Sequence, residues 1–360
     1  MKDLTMLRKK INEVDKEMAK LFCERMNAVK EIAIVKKQNG ISIYDKKREE
    51  DIIEKNSELV EDEILREYFV IFLQNNMKVS REYQARLLEG MRVAYSGTEG
   101  AFAHLAAIKL FPYATAVPYQ NFEEAYKSVE RGECDVAVLP TENSFNGEVG
   151  QVMDLMFFGT LYVNATYDMP ITQDLLAVKG ATIADVKRVI SHPQALGQCS
   201  AYIKEKGFIQ VEYDNTALAA KYVADRGDKS IAAIASAESA DIFGLSVLER
   251  NINSSRTNTT KFAVFSRVKG KRSEAEKNVS SILMFTVKNE AGALAKAVEI
   301  VGRYGFNMRC LRSRPAKQYL WQYYFYVETD GNIDTENGKS MIEELRSYCD
   351  KVKIVGTFTH

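Results

Sequence analysis

No surplus of charge of either sign marks this sequence: 49 lysines and arginines face 49 aspartates and glutamates over 360 residues. Without a broad basic field, nothing is available to hold nucleic acid or an anionic membrane, so any bound anion must meet locally placed cations. Cysteine is also scarce. The five residues Cys23, Cys134, Cys199, Cys310 and Cys349 are odd in number, far apart and form no CxxC pair. That argues against a disulfide framework or a zinc site and fits a reducing compartment. No run approaches the ~18 apolar residues of a membrane span, and the charged, amphipathic start is unlike a secretory leader. The expected location is the cytoplasm, with no cofactor and no metal.

Residues 1–90 contain no proline, and only Gly40 and Gly90 punctuate them. Leu4, Leu7, Ile11, Val14, Met18 and Leu21 step by three and four, and Ala28, Ile32 and Val35 continue the stripe, which predicts one helix over about residues 4–38. Asn39-Gly40 stops it. Asp45 caps a second helix carrying Ile52 and Ile53. A third spans about 64–88, with Leu65, Phe69, Phe72, Leu73, Met77 and Leu87 inward. A helix of roughly 50 Å cannot bury its stripe on two shorter partners from one chain, so an intertwined homodimer is expected.

From Met91 the period changes. Short apolar runs at 92–95, 135–138, 175–178, 189–190 and 231–234 read as strands. They alternate with helical patterns such as 122–130 and 216–224, which gives an α/β region over 91–270. A polar linker at 269–274 leads to strand, helix, strand, strand, helix and strand over 279–360, a ferredoxin-like βαββαβ order.

Several polar residues sit on faces that should be apolar. The heptad positions Leu4, Ile11 and Met18 lead to Arg25, whose desolvation costs several kcal/mol unless an anion meets it. Lys36 falls near the same face, Glu49 faces inward with Ile52 and Ile53, and Ser80 and Gln84 lie on the stripe with Met77. One register-fixing ion pair does not require so many groups; a pocket for a small polyanion does. In order and spacing, Arg8, Arg25, Lys36, Asp45, Arg48, Glu49, Ser80 and Gln84 resemble the active-site pattern of helical chorismate mutases. The resemblance implies that Arg8 (from a partner chain), Arg25 and Arg48 hold the carboxylates of chorismate. It implies that Lys36 and Gln84 donate to the breaking ether oxygen and that Glu49 meets the ring hydroxyl. Asp45 can equally be a helix cap, and Ser80 an ordinary helix polar residue.

In the α/β region, Tyr95 to His104 reads as a strand, a Gly-xx-Gly turn and a helix start. With Pro140-Thr141-Glu142-Asn143-Ser144-Phe145-Asn146-Gly147, Ser191-His192-Pro193-Gln194, Gln198-Cys199 and Asn258-Thr259-Thr260-Lys261-Phe262, it resembles the prephenate dehydratases. The family fold is two α/β lobes, like periplasmic binding proteins, with substrate between them. The resemblance implies that Thr260 donates a hydrogen bond to the departing hydroxide, with Asn143, Ser191 and Gln198 around it. Glu142 and His192 are candidates for orienting it. Three residues depart from the family pattern. Lys261 stands where the family has Arg, Thr141 replaces an aliphatic residue and Ala103 a hydroxyl residue, so preference can shift toward arogenate.

In the last segment, Asn289, Gly292, Ala293, Leu294 and Ala295 resemble the glycine motif of ACT domains. Ser313, Arg314 and Pro315 match the second motif, but Arg312 stands where the family has Glu. The resemblance implies phenylalanine as effector. The whole chain is thus similar to the bifunctional chorismate mutase/prephenate dehydratases, taking chorismate and prephenate as substrates and forming a dimer or a dimer of dimers. Two non-enzymatic readings share these folds, a solute-binding receptor and an amino-acid-responsive regulator. The first would need a leader sequence and the second a nucleic-acid-binding element, and neither is present.

Overall fold

The computed structural model describes residues 3–255, 257–273, 276, 278–316 and 322–359. It divides the chain into two compact units, Met1–Met91 and Arg92–His360.

The first unit is helical: α1 (Leu4–Gln38), α2 (Lys46–Ser57) and α3 (Glu63–Glu89). Aspartate starts each helix. Asp3, Asp45 and Asp62 accept from the backbone N–H of Thr5, Arg48 and Leu65 at 3.1, 3.0 and 3.0 Å, satisfying donors the first turn leaves unpaired. Only Val29 and Ala33 of α1 are buried, against the Met77, Ser80 and Gln84 part of α3. The rest of the α1 stripe is open in the single chain, with Leu4, Ile11 and Leu21 58%, 60% and 63% exposed. Leu65, Phe72 and Leu87, expected inward, are likewise exposed. An apolar face this long has too little partner surface within one unit.

The second unit begins with alternating strands and helices. The strands are β1 (Arg92–Ser96), β2 (Thr115–Tyr119), β3 (Val136–Asn143), β4 (Gly147–Glu148), β5 (Tyr162–Pro170), β6 (Asp174–Ala177), β7 (Arg188–Ser191), β8 (Ile209–Glu212), β9 (Ile231–Ala235), β10 (Ser246–Glu249) and β11 (Thr259–Ser266). The helices are α4 (Phe102–Leu110), α5 (Phe122–Glu130), α6 (Gly150–Phe158), α7 (Pro193–Gln198), α8 (Ser200–Lys206), α9 (Thr216–Arg226) and α10 (Ala237–Phe243). A βαββαβ module closes the chain: β12 (Val279–Thr286), α11 (Ala293–Arg303), β13 (Met308–Pro315), β14 (Tyr323–Asp330), α12 (Glu336–Tyr348) and β15 (Lys351–Thr359).

Strands β10-β6-β9-β7-β8 form one sheet, and β13-β14-β12-β15-β5-β11-β3-β1-β2 form another, with β4 added on β3. The chain passes from the larger sheet to the smaller after β5 and returns before β11, so two lobes are joined by two crossings with a cleft between them. The larger sheet continues through the terminal module, because β15 pairs in parallel with β5 at Gly356 opposite Val163. A Cβ on Gly356 would lie 1.9 Å from the Val163 carbonyl oxygen, so only glycine permits that approach. Beneath the junction the rings of Phe157 and Tyr324 stack with centroids 4.4 Å apart, in a core shared by Met153, Met156, Met284 and Tyr326. The polar linker is therefore not the only connection between module and lobes.

Candidate active sites

In the helical unit, α1 and α3 bring Arg25, Ser80 and Gln84 together, while Lys36 lies eleven residues beyond Arg25 along α1. The Arg25 guanidinium donates to Ser80 Oγ, and burial pushes its pKa down, the condition in which an arriving carboxylate is most welcome. Lys36 Nζ donates to the Ile43 carbonyl at 2.6 Å. Gln84 is 6% exposed, and its Nε2 donates to the Ser80 carbonyl at 3.2 Å. Its Oε1 is buried with no hydrogen-bond partner among the described residues, which is costly in a finished core and ordinary in a ligand site. Glu49 is half-buried and paired with Arg81, whose guanidinium also lies 5.2 Å from the centre of the Tyr44 ring. Sequence reasoning missed Arg81; the inward carboxylate of Glu49 called for a cation, and Arg81 is the one α3 supplies. Asp45 serves as the cap of α2, and Arg48 is exposed. Arg8 does not join the group. It is exposed and precedes Arg25 by 17 positions on one straight helix, about 26 Å along the axis.

The inter-lobe cleft has a volume of about 560 Å³. Strand β3 ends at Asn143 directly opposite Thr260 of β11, and both side chains line the cleft. Asn143 Nδ2 donates to Thr260 Oγ1 at 3.0 Å and to Asn258 Oδ1 at 2.8 Å. Its Oδ1 accepts from the N–H groups of Phe145 and Asn146 at 3.0 and 3.1 Å, folding the loop after β3. Asn258 Nδ2 in turn donates to Gln198 Oε1 at 3.2 Å. The row Gln198–Asn258–Asn143–Thr260 has one chemical consequence. The threonine oxygen accepts from Asn143, and its own O–H is available to donate to whatever enters the cleft.

No arginine or lysine is among the described residues lining the cleft. The N-terminal residues of α4 and α9 reach it instead, at Phe102 and Thr216. Ala101 has no side chain to cap α4, so that helix presents unpaired N–H groups and the positive end of its dipole to an anion. Ala103 packs in the same first turn. His192 lines the cleft as the cap of α7, its Nδ1 accepting from Gln194 N at 3.2 Å. Nearby, His104 Nδ1 accepts from Gly100 N at 3.1 Å, and burial holds its pKa below the usual value against the opposing charge of Glu99.

Ser191 departs from expectation. It is fully buried, does not line the cleft and donates to the Ile234 carbonyl at 2.5 Å, because the alternation of β7 turns it into the small lobe's core. Asn258 was part of a recognised motif but was not singled out. An asparagine two residues before Thr260 reads as loop polarity until β11 is seen to start at Thr259.

The terminal module separates its expected ligand residues. Asn289 and Gly292 are exposed, and Gly292 caps α11 at φ +83° with no side chain bonding to its first turn. Ala293 is buried, with Leu294 and Ala295 following in the same turn. Ser313 stands opposite Phe325, on the face covered by α11 and α12. Arg314 points to the other face, where it donates to the Tyr324 hydroxyl at 3.0 Å and to Glu148 at 3.1 Å. Pro315 is exposed on the Ser313 side.

Comparison with known proteins identifies the family of both segments. The family model of prephenate dehydratase matches residues 93–270, and that of chorismate mutase type II matches residues 7–85. A bifunctional chorismate mutase/prephenate dehydratase of Aquifex aeolicus is 31% identical over 365 residues, covering 99% of this chain and 98% of the relative. The solved prephenate dehydratase of Arthrobacter aurescens in complex with L-Phe superposes with a TM-score of 0.68 at 25% identity, over 75% of this chain and 90% of that one. A protein described as a novel type of quorum-quenching acylase superposes with 0.69 at 30% identity, over 74% and 97%. The chain belongs to the family of bifunctional chorismate mutase/prephenate dehydratases and carries both enzyme activities on one polypeptide.

Proposed function

We propose that the helical unit rearranges chorismate to prephenate between Arg25, Lys36, Glu49 and Gln84, and that it does so as an intertwined homodimer. The reaction is unimolecular, so catalysis reduces to holding a compact conformer and placing charge beside the breaking ether bond. Two observations support the dimer: the apolar stripe of α1 is open in the single chain, and Arg8 lies too far along α1 to meet the same chain's Arg25.

Prephenate then enters the cleft. Its C–CO₂ bond breaks, the electron pair moves into the ring, and the ring hydroxyl leaves as the ring becomes aromatic. The products are phenylpyruvate, CO₂ and, after one proton is taken up, water. Thr260 assists by donating its proton to the departing oxygen. The observation that supports this role is the Asn143 to Thr260 hydrogen bond at the cleft wall, in which the threonine oxygen accepts and its own O–H stays available to donate. Helix N-termini hold the side-chain carboxylate, and a cleft lining poor in cations does not trap the carboxylate that must leave. The hydrogen-bond partner of Thr260 Oγ1 is an amide donor and not a base, so the acylase description of one of the solved neighbours is not extended to this chain.

The terminal module acts as an ACT-type sensor for phenylalanine, and the end product restrains its own synthesis. The start of α11 at exposed Gly292, which no side chain caps, and the solved L-Phe complex of a relative support this. The deciding experiment supplies prephenate and follows phenylpyruvate absorbance in alkali. Thr260→Ala lowers turnover about 100- to 1000-fold, Thr260→Ser retains most of it, and an unimpaired Thr260→Ala refutes the role.

A further inference from the structure

The charged groups behind the dehydratase centre have no part in the chemistry above. Thr260 and Asn143 face each other across β11 and β3, and the next pair in register is Lys261 and Glu142. Successive strand residues point to opposite faces. Thus Thr260 and Asn143 line the cleft while Lys261 and Glu142 face the terminal module.

Every charge there is answered from that module. Arg312 of β13 pairs with Glu142 and lies 3.8 Å from Glu148. Arg314 pairs with Glu148 at 3.1 Å and Asp154 at 3.5 Å. Glu328 of β14 is only 4% exposed and meets Lys261 Nζ at 3.3 Å and the Tyr326 hydroxyl at 3.3 Å. The Arg314 guanidinium also rests on the start of α6, where a Cβ on Gly150 would lie 2.5 Å from it. That start follows directly on Glu148 and Val149, which line the cleft. Three cations therefore alternate with four carboxylates along a seam one residue removed from the catalytic pair.

We propose that Arg312 is a positioning residue of the dehydratase centre: through Glu142 and Glu148 it holds the end of β3, and so the Asn143–Thr260 pair, from behind. The proposal rests on the role given above to Thr260. Arginine suits the place because its planar fork spans two carboxylates on neighbouring strands, β3 and β4, where an ammonium meets one. Half-buried carboxylates left without that fork repel each other and drive the β3–β4 turn outward, carrying Asn143 with it. Arg312 works through the strand and touches no substrate, so its loss changes turnover more than substrate affinity.

The test uses the full-length enzyme. Arg312→Glu sets a third carboxylate against two. It is expected to lower kcat on prephenate about tenfold, with KM within about twofold of wild type and mutase activity unchanged. The double variant Arg312→Glu, Glu142→Arg restores opposite charges and is expected to recover most of that loss, which a purely steric role would not allow. If Arg312→Glu does not fold, Arg312→Gln removes the pairing without adding repulsion and is expected to lower kcat by at least threefold. Wild-type kcat in a folded Arg312 variant, a rise in KM alone, or no recovery in the charge-swapped double variant overturns the proposal. Thr260→Ala measured alongside keeps the two claims apart. An active Thr260→Ala removes the centre that Arg312 is said to position. An inactive Thr260→Ala beside an unimpaired Arg312→Glu removes the positioning role alone.

Discussion

Replacing Asn143 separates orientation from chemistry at the dehydratase centre. In Asn143→Ala three donations and two acceptances disappear together. Phe145 and Asn146 are exposed residues, so their N–H groups can turn to water and the loss costs little. Asn258 is 3% exposed, and leaving its Oδ1 without a donor costs about 1–3 kcal/mol of stability. The catalytic loss is of a different kind. Thr260 keeps its hydroxyl but is no longer held as an acceptor, so its proton rotates among several partners. A placed donor contributes roughly 100- to 1000-fold in kcat. Losing only its orientation puts Asn143→Ala near the lower end, about 100-fold or ~2.7 kcal/mol. Asn143→Asp sharpens the comparison. It keeps the acceptor for the Phe145 and Asn146 N–H groups, and so the turn, but loses the donor and adds a negative charge beside a departing hydroxide. The measurement is phenylpyruvate formation from supplied prephenate, with chorismate mutase activity and thermal denaturation on the same samples. A folded Asn143→Ala within about threefold of wild-type kcat refutes the orienting role. Equal loss of the mutase reaction refutes the assignment of the two activities to separate units.

Other perturbations isolate other parts. Lys36→Ala abolishes chorismate turnover while prephenate turnover persists, checked by assaying each substrate separately. Gly150→Ala forces Arg314 off the start of α6 and lowers dehydratase turnover with little change in mutase activity. For His104 the folded pKa lies below the ordinary value, so the neutral ring's contribution is fully present above about pH 6.5 and lost as pH falls through the lowered folded value. His104→Leu, which cannot take up that proton, shows a smaller drop in melting temperature between pH 6.5 and 5 than wild type. In calorimetry, Gly292→Val, placed at φ +83°, binds phenylalanine at least tenfold more weakly than wild type. Equal binding removes Gly292 from the sensor site.

The first and third helices were legible almost to the residue and the second at its Asp45 cap, because an unbroken 3.6-residue period leaves few alternatives. The polar residues on that stripe were legible for the same reason: burial on an apolar face is a cost that only a ligand or an ion pair offsets. Less could be read in the α/β region. Strands β1, β7 and β9 are short, apolar and buried, and stood out. Strand β5 carries Asn164, Asp168 and Pro170 on exposed or half-buried positions and has no clean alternation. Its place beside β11 comes from pairing partners about 90 residues away in sequence, which no local period encodes. Ser191 illustrates the same limit from the other side. Its motif was recognised, but whether a strand-end serine faces the cleft or the core is decided by which lobe the strand joins.

The clearest gap between sequence and structure is β13. Read along the chain, Arg312-Ser313-Arg314-Pro315 is one motif for one ligand, and arginine in place of glutamate reads as damage to that ligand's site. Read as a strand, it is two surfaces. Ser313 and Pro315 belong to one side, while Cys310, Arg312 and Arg314 are half-buried against the dehydratase lobe. Arg312 therefore changes the charge of a seam and not of an effector pocket. Opposite it stand Glu142 and Glu148, two carboxylates for which arginine is the complementary partner and glutamate would be a third like charge. The same side chains that would weaken a sensor if they faced the effector instead join it to the catalytic strands. An effector on the Ser313 side and a substrate on the Thr260 side would both lie on the face of the continuous sheet turned away from this seam. Of the charged residues of β13, Arg312 and Arg314 pair with the lobe while Arg309 pairs with Asp330 of the module, so the two seam arginines are the charged link between that strand and the lobe.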